Sequence, residues 1–174
     1  MIKHYIDYWQ DVKNATMTTI NLTKGKYPEK EWKTKLLISE HSPIRKIKFN
    51  WVWIGIKSWV SVHFVRHKYG VEHWISTQRD DRTQVDRNKS TQDSPVNHEI
   101  EINAQSCINI SRKRLCFQAH KETREEWIKF LNGIKSIEPE VYKVCVPECV
   151  CRCGCSEVFG CEFFNTFSKD IMNI

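Results

Sequence analysis

Long apolar runs are absent from this chain. Its most hydrophobic stretch, residues 51–56 and 59–62, is interrupted by Gly55, Lys57 and Ser58, too short and broken to supply the ~20 apolar residues of a bilayer-crossing helix. A transmembrane helix is therefore not expected. The opening residues, Met1 to Asp7, lack the apolar stretch and small-residue cleavage site of a secretory signal, so a cytoplasmic address is expected. In that reducing compartment the eight cysteines should be thiols or metal ligands rather than disulfides. There is no run of five or more like charges and no basic tail. The formal charge of +6 and pI near 8.9 favour anionic partners of any kind, nucleic acid, nucleotide or dinucleotide. The basic residues are nevertheless dispersed among acidic ones, which describes a mixed solvated surface better than a nucleic-acid groove. No internal repeat or low-complexity tract appears.

What is present is enough for a core. A chain of 174 residues, 40% hydrophobic and 11% aromatic, fits one globular domain. A charged fraction of 28% and a mean hydropathy of −0.54 match neither a disordered nor a membrane composition.

The patterning alternates between helical and extended segments. Over residues 7–23, Tyr8, Val12, Ala15 and Thr19 recur at helical spacing, but the threonines weaken the pattern, which leaves a short helix or a strand-like lead-in. Pro28 with Glu29 and Glu31 predicts a helix start, with Trp32, Leu36 and Leu37 on one face and an end near Ser39. Ile47, Phe49, Trp51 and Trp53 alternate with Lys48, Asn50 and Val52, the period-two signature of a half-buried strand. Residues 59–65 fit a strand or a helix. Residues 77–97, rich in polar side chains, read as an extended loop. Ile102, Cys107, Ile110 and Leu115 allow a helix over 100–115, and Trp127, Ile128, Leu131 and Ile134 place another over 121–137 that Pro139 closes.

Chemistry gathers after the second apolar segment, where His63, Arg66, His67 and Lys68 are followed by Ser76 and Arg79. Arginine offers fixed donors that match phosphate, and histidine adds a ring that titrates near neutrality. A phosphate-bearing ligand suits both. The bland alternative pairs Arg66 and Arg79 with Glu72, Asp80 and Asp81 on the surface. Near the C-terminus, Cys145, Cys149, Cys155 and Cys161 number enough for a zinc site. They lack the C-x2-C spacing of a knuckle, so free, partly buried thiols are expected instead. Cys107 and Cys116 are expected to pack as small hydrophobes. His4, His98 and His120, and the tryptophans at 51, 53, 59, 74 and 127, are expected to be structural.

The order of these segments resembles the flavin-dependent thymidylate synthases, the ThyX family. Arg66-His67-Lys68 with Ser76 and Arg79 is similar to that family's Arg-His-Arg and Ser-x-Arg signature. His41-Ser42-Pro43-Ile44-Arg45 resembles the segment leading into its first core strand. Asn103-Ala104-Gln105-Ser106, Arg114-Leu115, and Ala119-His120 with Glu122 and Arg124 follow in the family's order. Pro147-Glu148-Cys149, Cys155, Glu157 and Cys161 resemble a cysteine-bearing tail seen in some members. The resemblance implies an α/β or α+β single domain, helices on a small, mostly antiparallel sheet, over residues 1–162 with 163–174 as a tail. It implies a homotetramer with sites between subunits, using FAD, NADPH and methylenetetrahydrofolate to transfer one carbon to dUMP or a related pyrimidine deoxynucleotide. By carry-over, Arg66, His67, Lys68, Asn103 and Gln105 hold the flavin. Arg66, Ser76, Arg79, Arg87 and Arg114 bind the nucleotide, with Arg114 as the catalytic residue that stabilises charge on the pyrimidine ring.

The departures are specific. Lys68 and Gln105 replace arginines, Lys46 and His63 replace a histidine and a glutamine, and one residue is inserted between Ser76 and Arg79. The stretch from Arg79 to Asn103 is much shorter than in a typical member. Two readings from other classes stand beside the enzyme: a ThyX-like protein that binds a nucleotide without catalysis, and a cysteine-rich zinc protein that binds nucleic acid.

Overall fold

The computed structural model describes residues 1–4 and 6–165, with the side chains of residues 2–4 outside the description. The side chain of His4 and most of the expected tail, residues 166–174, thus lie outside the described residues. The chain divides into two compact units, Met1–Ser106 and Cys107–Ile174.

The first unit is built on a four-stranded antiparallel sheet. The strands are β1 (Ile2–His4), β2 (Lys48–Lys57), β3 (Val71–Ile75) and β4 (Pro95–Asn103), ordered β1-β2-β4-β3. Helices α1 (Trp9–Thr18), α2 (Lys30–Ile38) and α3 (Ser58–Val65) and the short α4 (Asp80–Thr83) complete it. β2 follows the alternation in its sequence: Phe49, Trp51 and Trp53 are buried. The register then shifts between Trp53 and Ile56. Gly55, at φ +68°, occupies the bulge, so that Ile56 rather than residue 55 turns inward. Residues 59–65 resolve as helix: α3 lays Phe64 on Trp53 with ring centroids 4.7 Å apart and planes 12° from parallel.

Two expectations fail in the same place. Residues 95–97 belong to β4 rather than to a loop, and residues 100–103 are strand rather than helix. The physical reason is an alternation that includes a histidine: Val96, His98, Ile100 and Ile102 are buried. Glu99 and Glu101, on the other face, meet Asn50 at 3.0 Å and Lys48 at 2.7 Å across the β2–β4 ladder. Helix α5 (Ala104–Arg114) starts only where Asn103 Oδ1 accepts the Ser106 N–H at 2.9 Å, an N-cap bond. β3, read as no element from sequence, pairs with β4 at the sheet edge, which leaves Trp74 about half exposed at 52% instead of in the core.

The second unit is helical, carrying the remainder of α5 with α6 (Lys121–Ile137), α7 (Pro139–Val144) and α8 (Glu148–Cys151). α6 buries Trp127, Phe130, Leu131 and Ile134, while Ile128 is exposed; the apolar stripe runs through Phe130 instead. Trp127 Nε1 donates to Ser111 Oγ at 2.9 Å, satisfying a buried indole. Pro139 does more than end α6, since it also occupies the first turn of α7. Among the described residues no helix is long and apolar enough to cross a membrane.

Candidate functional site

The cations singled out in the sequence sit on a turn whose backbone is held from several sides. α3 ends at Val65, Arg66 is its C-cap, and the His67 N–H donates to the Phe64 carbonyl at 3.0 Å. Beyond it the carbonyls face inward. That of His67 accepts from His73 Nε2 at 2.9 Å, that of Tyr69 from Ser106 Oγ at 2.6 Å, and that of Gly70 from the Asn103 N–H at 3.1 Å. Gly70 stands at φ +67°, and a side chain there would run into the Asn103 amide and the Ser106 hydroxyl. The side chains of Arg66 and Lys68 are exposed, and among the described residues neither has a hydrogen-bond or ion-pair partner. Two cations without an internal counter-ion, on a pinned backbone, form a surface suited to an anion.

Asn103 adjoins this turn and spends its side-chain oxygen on the α5 cap. Gln105 donates its amide N–H to the Glu40 carboxylate. Ser76 extends the β3–β4 ladder: its N–H donates to the Asn97 carbonyl at 2.9 Å and its hydroxyl accepts the Asn97 N–H at 3.0 Å. Arg79 makes two parallel bonds to Asp81, at 2.9 and 2.7 Å, so the surface pairing considered for it from sequence is found with Asp81. Arg87 lies in a short 3-10 turn, with its N–H on Asp80 Oδ1 at 3.0 Å. Lys46 is exposed at the end of another 3-10 turn, Ser42–Lys46. Arg114 is the last residue of α5, half-buried, in the helical unit. The turn and Asn103 are thus brought together, while the partners found for Arg79 and Arg87 lie within their own segment.

A second group escaped the sequence reading. Ser61 Oγ lies 3.0 Å from His98 Nδ1, and His98 Nε2 lies 2.9 Å from His73 Nδ1. The line ends at the His67 carbonyl, and with both rings neutral that end sets the direction of the whole line. A carbonyl only accepts, so His73 carries its proton on Nε2. In the neutral ring its Nδ1 then accepts, His98 must donate from Nε2, and His98 Nδ1 accepts the Ser61 hydroxyl. His98 is fully buried against Trp53 and Phe64. Burial first, and the neighbouring His73 second, push its pKa down to about 4. The signal was available: once β4 is read as a strand, His98 falls on its inward face.

In the helical unit, Cys107 and Cys145 are buried, and burial drives both thiols upward, that of Cys145 to about 12. Cys116, expected to pack like Cys107, instead lines a cavity with Cys149, Cys155 and Cys161. The four-cysteine set considered from sequence is therefore split, because Cys145 belongs to the core. Among the described residues no group of three or more His, Cys, Asp or Glu is placed to hold a metal ion.

The sequence matches no protein-family model, and no curated protein matches it. Solved structures do match. A structure of the flavin-dependent thymidylate synthase ThyX from Helicobacter pylori, complexed with FAD and dUMP, superposes with a TM-score of 0.68 at 10% identity, covering 84% of this chain and 98% of that one. A second structure of ThyX from the same organism, also with FAD and dUMP, gives 0.65 at 13% identity over 84% and 97%. At such identities what is shared is architecture: this chain has the fold of the flavin-dependent thymidylate synthase ThyX.

Proposed function

We propose that the protein is a flavin-dependent enzyme of the thymidylate synthase type, transferring one carbon from methylenetetrahydrofolate to dUMP or a closely related pyrimidine deoxynucleotide, with NADPH as reductant. The observation that carries this reading is the coincidence of a ThyX fold, covering nearly all of its FAD- and dUMP-bound neighbours, with cations at Arg66 and Lys68 that have no counter-ion among the described residues. The residues present suit a dinucleotide: a pyrophosphate needs positive charge that no internal carboxylate neutralises, and the 66–70 turn supplies it. FAD, when bound, supplies the reducing equivalents for the transferred carbon.

The protein's own part is binding and electrostatics. Arg66 offers a planar fork to phosphate oxygens, and Lys68 adds a point charge that attracts without fixing orientation. His67 and Asn103 flank the same ligand, and Gln105 approaches it with its amide nitrogen already committed to Glu40. Ser76, Arg79 and Arg87 bind the nucleotide, for which Arg79 must exchange its Asp81 partner. Arg114 sets positive charge against the pyrimidine edge as negative charge develops on the ring. The reading includes cytoplasmic residence and self-assembly, with sites shared between subunits.

The test is formation of the methylated nucleotide from dUMP, methylenetetrahydrofolate, NADPH and FAD, in the unmodified protein and in Arg114→Ala. Removal of one charge stabiliser should lower kcat by ~10²-fold or more with the circular dichroism spectrum unchanged. Equal turnover in the variant would remove Arg114 from the chemistry. Absence of turnover in the unmodified protein, with nucleotide still bound, would favour a binding protein.

A further inference from the structure

The line Ser61–His98–His73, buried at Ser61 and His98 and half-buried at His73, makes no ligand contact in the proposed function, yet its hydrogen bonds all run one way. Burying Ser61 and His98 and half-burying His73 costs free energy that an apolar trio would not incur, unless each is satisfied. Here each is satisfied, at 3.0, 2.9 and 2.9 Å, and the last bond leaves the sheet to reach the His67 carbonyl, between Arg66 and Lys68. Apolar side chains could fill the space but could not hold a carbonyl. A hydroxyl donating to an imidazole also resembles a nucleophile and its base, but Ser61 is only 2% exposed and offers no substrate access.

We propose that His73 and His98 are positioning residues for the cationic turn, acting through the His67 carbonyl to fix where Arg66 and Lys68 stand. The inference rests on reading that turn as an anion-binding surface. α5 and the end of β4 hold the far side of the turn through Ser106 and Asn103; His73 holds the near side. Alone on an edge strand, the His73 ring could turn over. His98 prevents this by donating to Nδ1, and is itself held by Ser61 and by the uncharged Trp53 and Phe64 rings. Long cationic side chains lose substantial rotamer entropy on binding, so a backbone ordered beforehand converts directly into affinity.

The experiment compares His73→Phe, which can neither donate nor accept, with His73→Gln, which can do both. In the full-length protein, amide exchange of residues 67–70 should accelerate about tenfold in the Phe variant, with exchange in the β2–β4 ladder unchanged. Binding of inorganic pyrophosphate and of FAD should weaken about tenfold in parallel, and Gln should restore most of both. Nitrogen NMR of the unmodified protein should show the His73 proton on Nε2 rather than on Nδ1. Unchanged exchange in His73→Phe, a Gln variant no better than Phe, or an Nδ1–H tautomer at His73 would each overturn the proposal. If the unmodified protein binds neither pyrophosphate nor FAD, the anion-binding reading fails, while the exchange and tautomer results still decide whether His73 orders the turn.

Discussion

At residue scale the turn depends most on an atom that is missing. Gly70 combines a left-handed φ of +67° with a close approach to the Asn103 amide and Ser106 hydroxyl. Those two groups cannot move away freely, because Asn103 caps α5 and Ser106 holds the Tyr69 carbonyl. Gly70→Ala should therefore destabilise the protein by about 1–3 kcal/mol, combining backbone strain with displaced hydrogen bonds. Urea unfolding measures this; a midpoint within error of the unmodified protein would show that the turn relaxes without loss. The cations of this turn were legible in the sequence, since they follow directly on an apolar segment. The glycine was not, because its constraint comes from residues 33 and 36 positions away that only the fold brings near.

At the scale of elements, α3, β3 and β4 are joined by the histidine line, and this sets a pH dependence. The sign follows from burial. With its folded pKa near 4 and an ordinary value near 6.5 in the unfolded chain, His98 binds its proton in the unfolded state first. Stability is thus fully present above pH ~6.5 and is lost as pH falls toward 4. The shift of His98 corresponds to about 3 kcal/mol. Unfolding free energies measured from pH 7 to pH 4.5 should fall across this window in the unmodified protein and fall less in His98→Phe; identical slopes would contradict the assignment. The same elements show where sequence reading stops. β2 was legible because its alternation uses tryptophan, phenylalanine and isoleucine. β4 was misread because a buried histidine broke the apolar pattern, and the expected helix over 100–115 absorbed its last residues. β3 is short and lies at the edge, so Trp74 and Ile75 face solvent and leave little periodicity to read.

At the scale of the whole molecule, the ordered motifs from His41 to Cys161 pointed to a fold that the solved structures share over 84% of the chain. What sequence could not supply was which motif residues remain available to a ligand. Arg66 and Lys68 stand exposed and unpaired among the described residues, whereas Arg79 is paired with Asp81 and Gln105 with Glu40. The Gln105 pairing joins residues 65 positions apart that only the fold brings near, whereas the Arg79 pairing is the local one considered from sequence. Under the proposed function, Lys68 offers a point charge where an arginine would offer a bidentate fork, so it should hold phosphate with a less fixed orientation.

The most direct test is the visible absorption spectrum of the purified protein with FAD, before and after titration with dUMP. The expected result is a protein-bound flavin band that dUMP perturbs saturably and that Arg66→Ala abolishes or weakens. A protein that takes up no flavin, under conditions where its fold is intact, would contradict it.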